Sequence, residues 1–374
     1  MDAGLLVLVI LIALVFTYIN GFHDTANSIA TVVATRVLTP AQAVALAAVT
    51  NLIGALIGTA VATTIAEGLI NAGMVHEGST FLLSALLGAI IWDLITWWRG
   101  LPSSSSQALI GGLVGAAIAA SGNEFGSVIW WASGGGHWWQ AQGIVPKVIV
   151  PMVVSPLLGF AIAFVLMLLL YLFLVWIARR QGFVKRFGRT PFVNAFFGRA
   201  QLVSATAMGL SHGMNDAQKT MGIVALAMVG ATAAGTLNGL PGWLGFLRLQ
   251  GSPSGGFGIP LWIIVLCALV MAAGTAAGGW RIINTLGHKM VRLQPIHGFM
   301  AETGGALVIF AASAFGIPVS TTQIISPAIM GVGAAKRFNA VRWTVVERMV
   351  WAWLLTMPIT AVISWLIAKG LLAL

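Results

Sequence analysis

The chain has 374 residues, of which 59% are hydrophobic and only 7% charged, with a formal net charge of +10. A soluble domain carries roughly 25% charged residues, so the composition excludes an ordinary soluble enzyme or binding module and reads as a polytopic membrane protein. The basic surplus lies in short loops between apolar runs, where the positive-inside rule places it, and does not read as a nucleic-acid footprint.

The one cysteine, Cys267, sits in an apolar run, so neither a disulfide framework nor a cysteine metal site is expected. The first apolar stretch has no basic residues before it and reads as a retained span. In chain order, the predicted elements begin with residues 3–35, apolar but interrupted by Asn20-Gly21-Phe22-His23-Asp24, which predicts a broken helix. A span follows over 40–66, with Gly54 and Gly58 spaced for close helix contact. Residues 80–98 and 104–120 form two arms around Gly-Leu-Pro-Ser-Ser-Ser-Ser. A long span over 144–178 carries Pro146, Pro151 and Pro156, and a basic loop runs to Arg199. Residues 199–235 predict a second broken span around Asp216, and 259–280 a clean one. Residues 298–316 and 318–334 are two arms around Gly316-Ile317-Pro318, and 346–370 close the chain.

Two motifs occur twice, in the same order. Gly21-Phe22-His23-Asp24-Thr25-Ala26-Asn27-Ser28 is matched by Gly213-Met214-Asn215-Asp216-Ala217-Gln218-Lys219-Thr220. Pro102-Ser103-Ser104-Ser105-Ser106-Gln107 is matched by Pro318-Val319-Ser320-Thr321-Thr322-Gln323. Basic clusters at 179–199, 281–292 and 336–348 predict cytoplasmic loops, whereas 67–79 and 121–143 contain no Lys or Arg and face outward. On that pattern the two pairs of arms are re-entrant helical hairpins entering from opposite sides. The fold class is then an all-α polytopic membrane protein, an inverted-topology repeat with broken helices. Residues 1–178 form the first repeat, 179–198 a basic cytoplasmic loop and 199–374 the second repeat, with both termini non-cytoplasmic. Such repeats place a binding site near the midplane of a secondary transporter.

A proline followed by hydroxyls opens a half-helix whose unpaired N–H groups attract anions. Ser103, Ser104, Ser105, Ser106 and Gln107, with Ser320, Thr321, Thr322 and Gln323, are therefore the candidate ligands of a small tetrahedral oxyanion. Serines in membrane helices also simply bond back to carbonyls, and the matched copies argue against that reading. Intramembrane acids are costly and mark function, so Asp24 and Asp216, helped by Asn27 and Asn215, are candidates for a coupling cation or proton. Lys219 reads two ways, as the neutraliser of Asp216 one turn away or as a contact to the anion. Glu302 has no acidic counterpart, Leu86 standing in its place, and suits a proton site. His23 and His212 lie at unmatched offsets, and no resident metal is expected. Arg99 lies near a hairpin tip, where Asp93 is a candidate partner. A channel and an intramembrane metal enzyme are the competing classes. Discontinuous inverted repeats favour alternating access over the first, and the want of a nucleophile–base pair disfavours the second.

These residues resemble the inorganic phosphate transporter (PiT) family. The resemblance is carried by Asn-Gly-Phe-His-Asp-Thr-Ala-Asn at 20–27, Ser-His-Gly-Met-Asn-Asp-Ala-Gln-Lys at 211–219, Ile91-Trp92-Asp93 and the two hairpin turns. It covers both halves and is nearest to the bacterial Pit-type permeases. It implies proton-coupled phosphate uptake at the cell membrane, with a metal–phosphate complex as one form of substrate. It also implies phosphate on the hairpin hydroxyls and cation coupling at the paired aspartates. The partners are then phosphate and membrane lipid, without nucleic acid and with no cofactor beyond the coupling ion, H+ or alternatively Na+; a homodimer is admitted. One departure is that Gln107 and Gln323 stand where the family usually has histidine. Glutamine carries no titratable proton, which keeps a sulfate permease of the same family as the alternative.

Overall fold

The computed structural model describes residues 3–71, 78–133, 141–179, 190–239, 241–249 and 258–373. Half of the predicted basic loop 179–198, residues 180–189, lies outside the described residues, and from Thr190 the remainder is helix, not loop, because the long helix carrying Asp216 begins there. Twelve α-helices are described. In the first half they are α1 (Ala3–Ala34), α2 (Pro40–Ala55), α3 (Ala60–Glu67), α4 (Gly78–Arg99), α5 (Ser105–Ala120) and α6 (Val150–Ala178). The second half holds α7 (Thr190–Ala233), α8 (Leu261–Ala277), α9 (Trp280–Asn284), α10 (Pro295–Ala314), α11 (Thr322–Lys336) and α12 (Trp343–Leu372). Five helices are long and apolar enough to cross a membrane, or seven when each bent pair counts as one span.

The helix breaks are not where the polar residues suggested. Residues 20–24 and the region around Asp216 lie inside uninterrupted helices of 32 and 44 residues. The breaks fall at α2/α3, bent by 69°, and between α8 and the segment Trp280–Lys289, bent by 58°. The motif glycines do a different job. A Cβ on Gly21 would lie 2.6 Å from the Met271 carbonyl of α8, and one on Gly213 would collide with the Asn51 carbonyl of α2. Gly274 and Gly54 make the reciprocal approaches, to Tyr18 and Leu210. Small residues of this kind let helix backbones meet closely where the hydrophobic effect supplies no drive. The α1–α8 and α7–α2 crossings thus correspond residue for residue.

Real breaks need their freed backbone groups satisfied without water. At α2/α3, Gly58 turns the chain at φ +79°. The Gln218 side chain of α7 then bridges the gap, accepting from Val61 N at 2.8 Å and donating to Ile57 O at 3.2 Å.

The hairpin turns are also matched. Gly100 (φ +63°) and Gly316 (φ +64°) end α4 and α10 in the left-handed conformation. Leu101 N bonds back to Thr96 O and Ile317 N to Ala312 O, both at 2.9 Å, the six-to-one bond of a Schellman cap. Each hairpin is completed by the last long helix of the other half: α12 packs on α4 and α5, and α6 on α10 and α11. Trp353 of α12 donates to Pro102 O at 2.9 Å. Arg99 is exposed and makes no ion pair with the buried Asp93 among the described residues, so that pairing is not found.

Candidate functional site

Helices α1 and α7 pack against each other at the centre, and each carries its aspartate between the two hairpins. The residue before each aspartate grips the hairpin of its own half. His23 Nε2 lies 3.2 Å from Thr96 Oγ1 and 3.3 Å from Ser103 Oγ, at the end of α4 and in its turn. Asn215 donates to Ser313 Oγ at 2.9 Å and to Ile317 O at 3.4 Å, the matching places of the second hairpin.

The residue three places after each aspartate reaches the opposite turn. Asn27 Nδ2 donates to Thr322 Oγ1 at 2.8 Å and to Thr321 Oγ1 at 3.0 Å. Lys219 Nζ donates to Ser106 Oγ, to Asp216 Oδ1 and, at 3.0 Å, to Val319 O. Thr321 passes a bond to Asp216 Oδ2 at 3.1 Å and Thr322 one to Asp24 Oδ1 at 3.4 Å. The two turns touch directly, Ser106 Oγ donating to Val319 O at 3.2 Å. One polar network therefore spans both halves.

The hydroxyls divide their work. Ser104 is the N-cap of α5 and accepts from Gln107 N–H at 3.2 Å, and Ser320, one residue before the N-cap Thr321 of α11, accepts from Gln323 N–H at 3.3 Å. Between the turns lies a small cavity lined by Ser106, Gln107, Val319, Ser320 and Gln323, with Val148 and Met152 of the π-turn and α6 as an apolar wall. Both polar atoms of the Gln107 side chain, Gln323 Oε1 and Ser105 Oγ are buried without a hydrogen-bond partner. Unmet polar valences are expensive in a dry interior, and the three on Gln107 and Gln323, which line the cavity, leave it with polar atoms free to meet a ligand.

Glu302 lies apart from this centre. It accepts from Thr31 Oγ1 at 2.5 Å, from Gln201 Nε2 at 3.0 Å and from Ser204 Oγ. Thr31 is one turn beyond Asn27 on α1, so the two clusters share a helix face. The carboxylates of Asp24 and Asp216 and the ring of His212 bring ligand atoms within 4.8 Å of one another, all buried. His212 Nε2 lies 3.0 Å from Asp216 Oδ2. The sequence carried that signal as an i, i+4 spacing on one helix, which the unmatched histidine offsets obscured.

With this geometry in place, the comparison with known proteins is specific. A profile described as the phosphate transporter family matches residues 20–364. The chain belongs to the phosphate transporter family. Among its relatives is a probable low-affinity inorganic phosphate transporter of Rhizobium meliloti (strain 1021), 46% identical over 362 residues, covering 96% of this chain and 94% of that protein. A protein of the same description from Bacillus subtilis (strain 168) is 40% identical, covering 96% of this chain and 95% of its own length. A solved structure titled "The sodium-dependent phosphate transporter" superposes with a TM-score of 0.78 at 24% identity, covering 99% of this chain and all of that one. At that identity the superposition speaks for the fold. This family member is a membrane transporter and not an enzyme, and its relatives' bacterial sources place it in the cell membrane.

The sequence did not single out the partners that hold these groups. Thr96, Gln201 and Ser204 stand outside the repeated motifs and Gln218 is a motif member without an assigned role, and only the packing of distant helices reveals their targets.

Proposed function

We propose that this transporter is a secondary active symporter that takes up inorganic phosphate, driven by protons, with a metal–phosphate complex among its substrate forms. The supporting observation is the crossed contact of the two halves, Lys219 with Ser106 and Asn27 with Thr322. In this reading the turn residues Ser103–Gln107 and Ser320–Gln323 bind the anion, with the hydroxyls of Ser106, Thr321 and Thr322 nearest the charges. Asp24 and Asp216, with Asn27, Asn215 and Lys219, set the charge that couples a cation to it, and Glu302 holds a proton on the same helix face. Because the hydroxyls of Ser106, Thr321 and Thr322 also touch groups on the other half, filling the site rebalances both halves at once, as alternating access requires. Residues 1–178 and 199–374 are the two inverted repeats, and the basic segment between them, helical from Thr190 onward, is cytoplasmic, with both termini outside. Lipid surrounds the apolar helices, and a second copy pairs along that surface.

Sulfate is the competing substrate, because Gln107 and Gln323 offer amides where an ionisable group would sense the proton of phosphate. The test is radiolabelled phosphate uptake into proteoliposomes under separate proton and sodium gradients, with sulfate as competitor. Proton-driven uptake that excess sulfate leaves intact supports the proposal. Sulfate uptake in its place overturns the substrate, and uptake driven by sodium alone overturns the coupling ion.

A further inference from the structure

We propose that Lys219 is a tethered substitute for a mobile cation at Asp216, so that of the two matched aspartates only Asp24 takes a cation that travels with the substrate. This rests on the coupled-transport reading above and specifies its stoichiometry. Lys219 occupies the position that matches Asn27, three residues after its aspartate. Its ammonium has three N–H donors, and all three are used: on the Asp216 carboxylate, the Ser106 hydroxyl and the Val319 carbonyl. A carboxylate, a hydroxyl and a backbone carbonyl converging on one positive charge are the oxygen set that would otherwise hold a bare monovalent cation.

The two aspartates differ accordingly. Asp216 is fully buried, with Lys219 on Oδ1 and with Thr321 and His212 against Oδ2. Both its oxygens are taken by the protein. Among the described residues, the contacts of Asp24 with His23 and Thr322 all run through Oδ1. Asn27 Oδ1 beside it is buried and unpartnered, in a residue only 1% exposed. Asp24 thus keeps Oδ2 clear of hydrogen bonds among the described residues, whereas each oxygen of Asp216 carries at least one; Asn215 Oδ1 is unpartnered like Asn27 Oδ1, so the asymmetry lies in the carboxylates. A second cation at Asp216 would sit against an ammonium in a low-dielectric interior, where like charges repel strongly. Lys219 remains attached to α7 throughout the cycle, so its charge neutralises the site without being delivered.

The experiment measures the coupling ratio in proteoliposomes, as the cation gradient that just holds a given phosphate gradient. Wild type, Lys219→Asn and the double variant Asp216→Asn/Lys219→Asn are compared under proton and sodium gradients. Lys219→Asn recreates the Asp24–Asn27 pairing in the second half and is expected to raise the ratio by one cation per phosphate. The double variant removes a buried pair together, which spares the fold an uncompensated charge, and is expected to keep the wild-type ratio at a lower rate. An unchanged ratio in Lys219→Asn, or a ratio lowered by one in the double variant, overturns the proposal. If neither variant transports, equilibrium binding of radiolabelled phosphate to the purified proteins decides. Binding by Lys219→Asn must then depend more steeply on cation concentration than binding by wild type. Equal steepness, or no binding at any cation concentration, overturns the proposal. A wild type that shows no cation-driven accumulation overturns the coupled-transport reading instead.

Discussion

Lys219 of α7 donates to the hydroxyl of Ser106 in the turn of the other half, and Asn27 of α1 does the same for Thr322. The two bonds occupy matching places but differ in charge. A hydrogen bond to a charged group contributes about 2 kcal/mol and a neutral one about 1 kcal/mol. Ser106→Ala should therefore raise the KM for phosphate about 30-fold, and Thr322→Ala, which also loses a longer bond to the Asp24 carboxylate, between about fivefold and 30-fold, since each 1.4 kcal/mol is a factor of about 10. Initial uptake rates over a phosphate series check the order. Equal KM values for both variants and wild type would return these hydroxyls to a packing role.

The close crossings give a stability prediction with an internal control. Gly213→Ala drives a methyl into the Asn51 carbonyl, whereas a Cβ on Gly230, in the same helix, meets nothing within 4 Å. Overpacking costs about 1–3 kcal/mol. Gly213→Ala should lower the melting temperature in detergent, and Gly230→Ala should leave it unchanged or raise it, because alanine is the better helix former.

Gln218 serves the break between α2 and α3 from another helix. Gln218→Leu orphans the N–H groups of Val61 and Ala62 and the Ile57 carbonyl. Leaving buried polar groups unmade costs about 1–3 kcal/mol for each. Hydrogen exchange at residues 57–62 should speed up by more than tenfold in this variant, while exchange in α4 and α5 stays as in wild type.

The mistake about helix breaks and the success with the hairpins have one physical origin. A cluster such as Asn20-Gly21-Phe22-His23-Asp24 is polar, and in lipid a polar cluster reads as a disruption. Here the His23 ring meets Thr96 on α4 and the Asp24 carboxylate meets Thr322 on α11, so the backbone stays helical there, and glycine provides closeness instead of a bend. The true breaks at Gly58 and Gly278 are marked by a positive φ and by little else in the local composition. The turns were readable because glycine and hydroxyl act locally, as Schellman cap and N-cap, although Pro102 and Pro318 lie ahead of the helix starts at Ser105 and Thr322 and do not open those helices as the sequence suggested. The duplicated motifs were legible for the same reason, by direct comparison of residues. What they touch was not, since Lys219 and Ser106 are far apart in the chain and meet only after α7 packs against the opposite hairpin.

Glu302 separates charge from hydrogen bonding. Glu302→Gln can keep all three partners, its carbonyl accepting from Thr31 and Gln201 and its amide donating to Ser204. It should melt within about 1 °C of wild type, a shift of under about 1 kcal/mol for a chain of this length, yet lose gradient-driven uptake. Glu302→Ala, which leaves three donors unmet, should melt lower as well. Full uptake by Glu302→Gln would show that the carboxylate's charge is not used.

The central claim, that the buried aspartate on α1 couples a cation to phosphate, is tested most directly by Asp24→Asn in proteoliposomes measured in two ways. Exchange of internal for external radiolabelled phosphate reports binding and alternation, and accumulation against an imposed cation gradient reports coupling. Asparagine keeps an acceptor for Thr322 and removes the charge. The account predicts measurable exchange with accumulation abolished. Accumulation at the wild-type level would contradict it.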